Sequence, residues 1–161
     1  MFKSSIVTPN MRIYNNFIKN LSILTPKTKS DPILEESFYR VNEHYFDNQM
    51  EKPNLIWGQD SVRTLATYNF HNDTVKVSSL FKKAENDILD YLMYHELLHK
   101  EHKFNNKKGR SYYHTRSFRA DENLYPNKND IDRRITKIIK NHQNEIKFNE
   151  NKKFNLLSFF K

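Results

Sequence analysis

The chain has 161 residues, the size of one domain with tails. Hydrophobic residues make up 37% and charged residues 29%, the net charge is +8, and cysteine is absent, which excludes disulfides, a thiolate metal site and a cysteine nucleophile. No run of about 20 apolar residues is present to span a membrane, and the residues before Pro9 lack an apolar signal core, so a cytoplasmic protein is expected.

Residues 10–24 carry Ile13, Phe17, Leu21 and Leu24 at helical spacing, the pattern of a short amphipathic helix. Pro26 to Ser30 reads as a linker. Asp31-Pro32 opens the next helix, with Asp as cap and Pro at the first helical position. Leu34, Phe38, Val41 and Tyr45 form its apolar stripe, and it ends near Asp47-Asn48. Asn54 to Trp57 reads as a first strand between Pro53 and Gly58. A second runs from about Thr64 to Phe70, with Ala66, Tyr68 and Phe70 alternating. His71-Asn72-Asp73 makes a turn, and Thr74 to Ser78 forms a third strand. His44 is expected on a helix surface and His71 in the turn.

The next element carries the chemistry. Ile88-Leu89-Asp90-Tyr91-Leu92-Met93-Tyr94 is apolar on most sides and holds neither Gly nor Pro, which describes a helix buried all round, from about residue 86 to 103. Glu85 or Asn86 and Asp87 supply its cap and its favourable N-terminal charge. Within it stands His95-Glu96-Leu97-Leu98-His99, an H-E-x-x-H pattern. Two histidines four apart lie one above the other on a helix face and can grip one zinc ion, while the glutamate between them serves as general base toward a zinc-activated water. Burying three such polar groups with no common partner would cost several kcal/mol.

A catalytic zinc site takes three protein ligands and keeps one position open. The candidates for the third are His102, His114, Asp121 and Glu122. His102 lies about 10 Å along the helix from His95 at 1.5 Å per residue, too far for one ion, and is assigned to a supporting or solvent position. His114 follows a turn-forming stretch, Phe104 to Ser111 with Gly109, and can return to the site, so His114 is the expected ligand and Glu122 the fallback. The ligand type points to Zn²⁺, although Mn²⁺ or Co²⁺ fits the same set.

Beyond the site, Thr115 to Leu124 reads as a short helix stopped at Pro126. Asp130 caps a long C-terminal helix with Ile131, Ile135, Ile138, Ile139, His142 and Ile146 on one side, His142 being expected as a satisfied core histidine. The last residues, from Phe154 to Lys161, are apolar but too few to span a membrane. They are suited to a partner or to the cleft.

Over residues 34–125 the chain resembles the SprT-like (Spartan-type) zinc metallopeptidases. His95-Glu96-Leu97-Leu98-His99 resembles the family's active-site helix, and His114-Thr115-Arg116-Ser117-Phe118 its His-x-x-x-Phe third-ligand segment. Val41-Asn42-Glu43-His44-Tyr45-Phe46 is similar to its Asn-x-x-Tyr-Phe helix end, Leu55-Ile56-Trp57 to its first strand, and Val75-Lys76-Val77-Ser78 with Leu80 to the strand before the active helix. The order and spacing agree. Thr115 and Ala66 stand where the family often has Gly, and the Cys-rich C-terminal ribbon of many members has no counterpart here.

The expected fold is α+β and zincin-like, a small three-stranded sheet packed on a buried H-E-x-x-H helix with flanking helices. The expected organisation is an N-terminal extension over 1–30, the metallopeptidase domain with its C-terminal helix over 31–148, and a tail over 149–161. The expected function is zinc-dependent endopeptidase action on a protein or peptide substrate, with Glu96 as base and His95, His99 and His114 as ligands. Tyr112, Tyr113 and Arg116 are near enough to be considered for oxyanion stabilisation. The alternative is a zinc-stabilised nucleic-acid- or protein-binding module with little hydrolysis. Charge is uneven: residues 31–99 carry six basic and twelve acidic groups, whereas 100–119 carry seven basic and one acidic. The basic segments 100–119 and 133–161 are therefore candidates for contact with nucleic acid, including associated substrate proteins.

Overall fold

The computed structural model describes residues 26–102, 105–107, 110–112 and 114–158, together with Ile13 and Phe17. The chain divides into two compact units, Met1–Tyr125 and Pro126–Lys161.

In the first unit, Ile13 and Phe17 are helical and exposed, and Leu21 and Leu24 lie outside the described residues. Helix α1 (Pro32–Tyr45) starts where its chemistry dictates. Asp31 Oδ1 accepts from the Ile33 and Leu34 N–H groups at 3.0 and 3.4 Å, and Pro32 gives up no needed donor. Leu34, Phe38 and Val41 are buried along one face. After the helix, Asp47 and Asn48 adopt positive φ (49° and 59°), a conformation their short polar side chains tolerate. Buried Asn42 fixes the return of the chain: its Nδ2 donates to Met50 O (3.1 Å) and its Oδ1 accepts from Met50 N–H (3.0 Å).

Three strands follow, β1 (Asn54–Trp57), β2 (Ala66–Asn69) and β3 (Thr74–Val77), in the order β1-β3-β2. β1 runs parallel to β3, in register Leu55 with Val75, and β2 runs antiparallel to β3, in register Tyr68 with Val75. Leu55, Val75 and Val77 have no exposed surface. The stretch 26–30, which reads as a linker, is tied to the sheet. Ser30 bridges Leu55, Leu55 N–H donates to Lys29 O (2.9 Å), and Asp31 N–H donates to Leu55 O (2.9 Å). Asn54 adds Nδ2 bonds to Pro26 O and Asn72 O. Composition alone hides this, because the pairing is made by backbone groups and by Asn54.

β3 leads through a 3-10 turn (Ser79–Phe81) into helix α2 (Asn86–His102), within one residue of the expected span. Nine of its 17 residues are buried, on all sides, so the helix is a core element. The sheet packs on it through β2 and β3, and α1 packs against it as well. Arg40 of α1 grips Asp90 of α2 with two bonds of 2.8 Å. Tyr45, Tyr94 and Tyr125 gather with centroids 4.7–5.3 Å apart, and Tyr94 Oη donates to Asp121 O (2.7 Å). Strands β4 (Asn105–Lys107) and β5 (Arg110–Tyr112) form an antiparallel pair where the sequence reads only a turn-forming stretch. That stretch is polar and basic and lacks the apolar alternation that marks a half-buried strand. Helix α3 (Arg116–Glu122) follows, and Thr115 Oγ1 caps it by accepting from Phe118 N–H (3.2 Å).

The second unit is helix α4 (Lys128–Ser158). The chain enters it at Asn127 (φ 54°), whose carbonyl accepts from the Asp130 and Ile131 N–H groups. Asp130, expected as the cap, lies inside the first turn, where it pairs with Arg133 (3.2 Å) and Arg134 (3.0 Å). No described helix is long and apolar enough to cross a membrane. The architecture is α+β, a small mixed sheet on a buried helix with flanking helices, as expected.

Candidate metal centre

Helical spacing places His95 and His99 one turn apart on α2, with ring centroids 5.0 Å apart. His114 arrives from the segment before α3, 5.3 Å from the His95 ring and 5.0 Å from the His99 ring. One nitrogen from each of the three lies within 4.8 Å of the others, and His114 Nε2 stands 3.4 Å from His95 Nε2. Two imidazoles on one tetrahedral zinc, at about 2.05 Å each, would hold their nitrogens about 3.3 Å apart. Spacing and donor type thus suit one divalent ion. The protonation state suits it as well: burial, reinforced by the neighbouring His95 and His114 imidazoles, pushes His99 down to about 4, so near pH 7 it is neutral.

Phe118 supports the cluster from α3. It has no exposed surface, and its ring centroid lies 4.6 Å from His99, 4.9 Å from His114 and 5.2 Å from His95. The Thr115 cap fixes the helix turn that carries it. Glu96, between the two helix histidines, is only 4% exposed. Burial pushes its carboxyl up to about 8, and a hydrogen bond from the Tyr68 backbone on β2 opposes that rise. Tyr68 was expected only as an alternating strand residue. The backbone bond it supplies carries no side-chain signal in the sequence.

The remaining candidates are placed as follows. His102 is outside the cluster, with Nε2 2.7 Å from Asp121 Oδ2. Glu122 Oε1 lies 2.8 Å from His95 Nδ1 and accepts from Tyr91 Oη at 3.4 Å. Among the described residues the metal-capable group contains three imidazoles and no carboxylate. Arg116 is exposed at the start of α3, and the Tyr112 and Tyr113 side chains lie outside the described residues. His44 is exposed on α1, with Nδ1 2.8 Å from Arg40 O, and His71 is exposed in the β2–β3 turn.

A second polar cluster lies beyond His99 on the same helix. Asp73, fully buried at φ 44°, pairs with Lys27 and with Lys100 (3.0 Å), and accepts from Tyr68 Oη (2.6 Å). Lys100 also donates to Glu51 O (2.6 Å), and burial lowers its ammonium to about 8.

No protein-family model matches the chain, and no curated protein matches it. Among solved structures it is similar to the metallopeptidase zymogen jannalysin of Methanocaldococcus jannaschii, at 22% identity and a TM-score of 0.50, covering 72% of this chain and 94% of that one. The metallopeptidase zymogen abylysin of Pyrococcus abyssi is 20% identical, with a TM-score of 0.46 and 65% and 93% of the two chains covered. The likeness to jannalysin shows a shared fold, and the three histidines converge where one metal ion can be held.

Proposed function

We propose that this chain is a zinc-dependent metalloendopeptidase of SprT-like type, with His95, His99 and His114 as ligands and Glu96 as general base. One observation carries the reading: three imidazole nitrogens converge within 4.8 Å around a helix whose intervening glutamate is buried beside them. The peptidase nature of jannalysin, on a shared fold, supports it. The His114-to-Phe118 segment, with Phe118 packed against all three rings, supports the SprT-like assignment.

Bound zinc would supply the Lewis acidity that polarises the scissile carbonyl and acidifies water. The chain's own groups do the rest. His95, His99 and His114 bind the ion as neutral imidazoles. Glu96 takes a proton at its carboxylate and delivers it to the leaving amine. β2 is an edge strand of the sheet, so an extended substrate segment can pair with it by backbone hydrogen bonds. In this reading residues 31–148 are the peptidase domain, flanked by an extension (1–30) and a tail (149–161). The exposed row Arg133, Lys137, Lys140 and Lys147 on α4 supports substrates held on nucleic acid. Binding to a DNA duplex that weakens steeply with salt checks that part.

The test compares zinc content and hydrolysis of an unfolded protein substrate. Glu96→Gln should keep the metal and lose about 10²- to 10⁴-fold in turnover, and His114→Ala should lose most of the zinc. Retained turnover in Glu96→Gln would remove Glu96 as base. A wild-type protein that takes up zinc and hydrolyses nothing would leave the binding-module reading.

A further inference from the structure

A neutral histidine carries one proton on two nitrogens, and only the unprotonated nitrogen can bind a metal. Which one that is depends on the partner at the other nitrogen. At His95 the partner is Glu122. Its Oε1 lies 2.8 Å from Nδ1, and its side chain is 15% exposed. An ionised carboxylate only accepts, so Nδ1 bears the hydrogen and the lone pair falls on Nε2. Nε2 is the nitrogen 3.4 Å from His114 Nε2, on the metal side of the ring. Tyr91, one turn before His95 on α2, donates its hydroxyl to the same carboxylate oxygen at 3.4 Å. On α3, Phe118 and Glu122 are four residues apart and share a face. One face of this short helix therefore gives the three rings their apolar support and gives His95 its acceptor.

We infer that Glu122 is the positioning residue of the metal centre: its bond to His95 Nδ1 sets the tautomer and ring orientation that turn Nε2 toward the ion, with Tyr91 steadying the carboxylate. The inference rests on the metal-site reading above. It replaces the fallback role of Glu122 as a ligand, because the carboxylate faces the ring nitrogen turned away from the other imidazoles.

The test measures zinc affinity of the metal-free full chain by competition with a chromogenic chelator. Glu122→Ala should weaken binding about 10- to 100-fold. Glu122→Gln should weaken it less, because the amide oxygen still accepts, and this variant guards against a fold lost in the Ala form. Tyr91→Phe should have a smaller effect than either. Long-range ¹H–¹⁵N NMR of the metal-free protein supplies a readout that a purely structural role would not move. His95 should be in the Nδ1–H form in wild type and in mixed forms in Glu122→Ala. Wild-type affinity in both Glu122 variants, or an unchanged His95 tautomer in Glu122→Ala, overturns the inference while leaving the metal site standing. Loss of zinc in Glu122→Gln as complete as in His114→Ala also overturns it, by making Glu122 a ligand. A wild-type protein that binds no zinc overturns the inference and the metallopeptidase reading together.

Discussion

Glu96 and His99 share a helix turn, and burial moves their proton affinities in opposite directions. In the metal-free protein Glu96 is raised to about 8 from an ordinary 4.5, so between these values the folded chain keeps a proton that the unfolded chain has released. Its contribution is fully present below pH 4.5 and is lost as pH rises toward 8. His99 is lowered to about 4 from 6.5, so its contribution is fully present above pH 6.5 and is lost as pH falls toward 4. The two oppose each other between pH 4.5 and 6.5, and of this pair only Glu96 acts between 6.5 and 8. Metal-free protein should therefore lose stability from pH 6.5 to 8 in urea melts, and Glu96→Gln should remove that loss. An identical slope in the variant would show that another group carries it. Zinc acts in the same direction as His99, because protonated imidazole cannot bind it, so affinity should rise with pH.

At the scale of elements, α3 does more than its seven residues suggest. Its cap, Thr115, holds the turn that carries Phe118, and Phe118 touches all three imidazoles. Thr115→Ala should cost about 1 kcal/mol of stability and weaken zinc binding, whereas Thr115→Ser should restore most of both. A drop in stability with unchanged zinc affinity would separate the cap from the site. This is also the scale at which the sequence is most and least informative. The span of α2 and the pairing of His95 with His99 follow from helical periodicity, and Asp31-Pro32 announces α1. The β4–β5 pair is invisible because its residues alternate in no apolar pattern. The attachment of residues 26–30 is invisible because backbone groups make it. The approach of Glu122 to His95, and of Tyr68 N–H to Glu96, depends on how separate elements pack, which no local period encodes.

Across the first unit as a whole, Asp73 is the point where distant segments meet. Lys27 comes from the stretch before α1, Lys100 from the end of the active helix, and Tyr68 from an edge strand. Asp73→Asn keeps the shape and tolerates φ 44°, yet removes the charge between two cations. It should cost about 3 kcal/mol, as for a broken buried ion pair. Chemical denaturation checks this, and a loss within 0.5 kcal/mol, roughly the level of a surface substitution, would make the cluster incidental. The strand order has a further consequence, for the route by which the chain reaches this state. β2 and β3 are neighbours in sequence and can close as a hairpin early, but β1 must wait for β3, because its strand partner among the described residues is the second strand of that hairpin. A chain emerging from the ribosome cannot complete the sheet before Val77 is made. The helix that offers His95 and His99 is synthesised directly afterwards, so the sheet and the helix it packs on become available to fold together, as one unit.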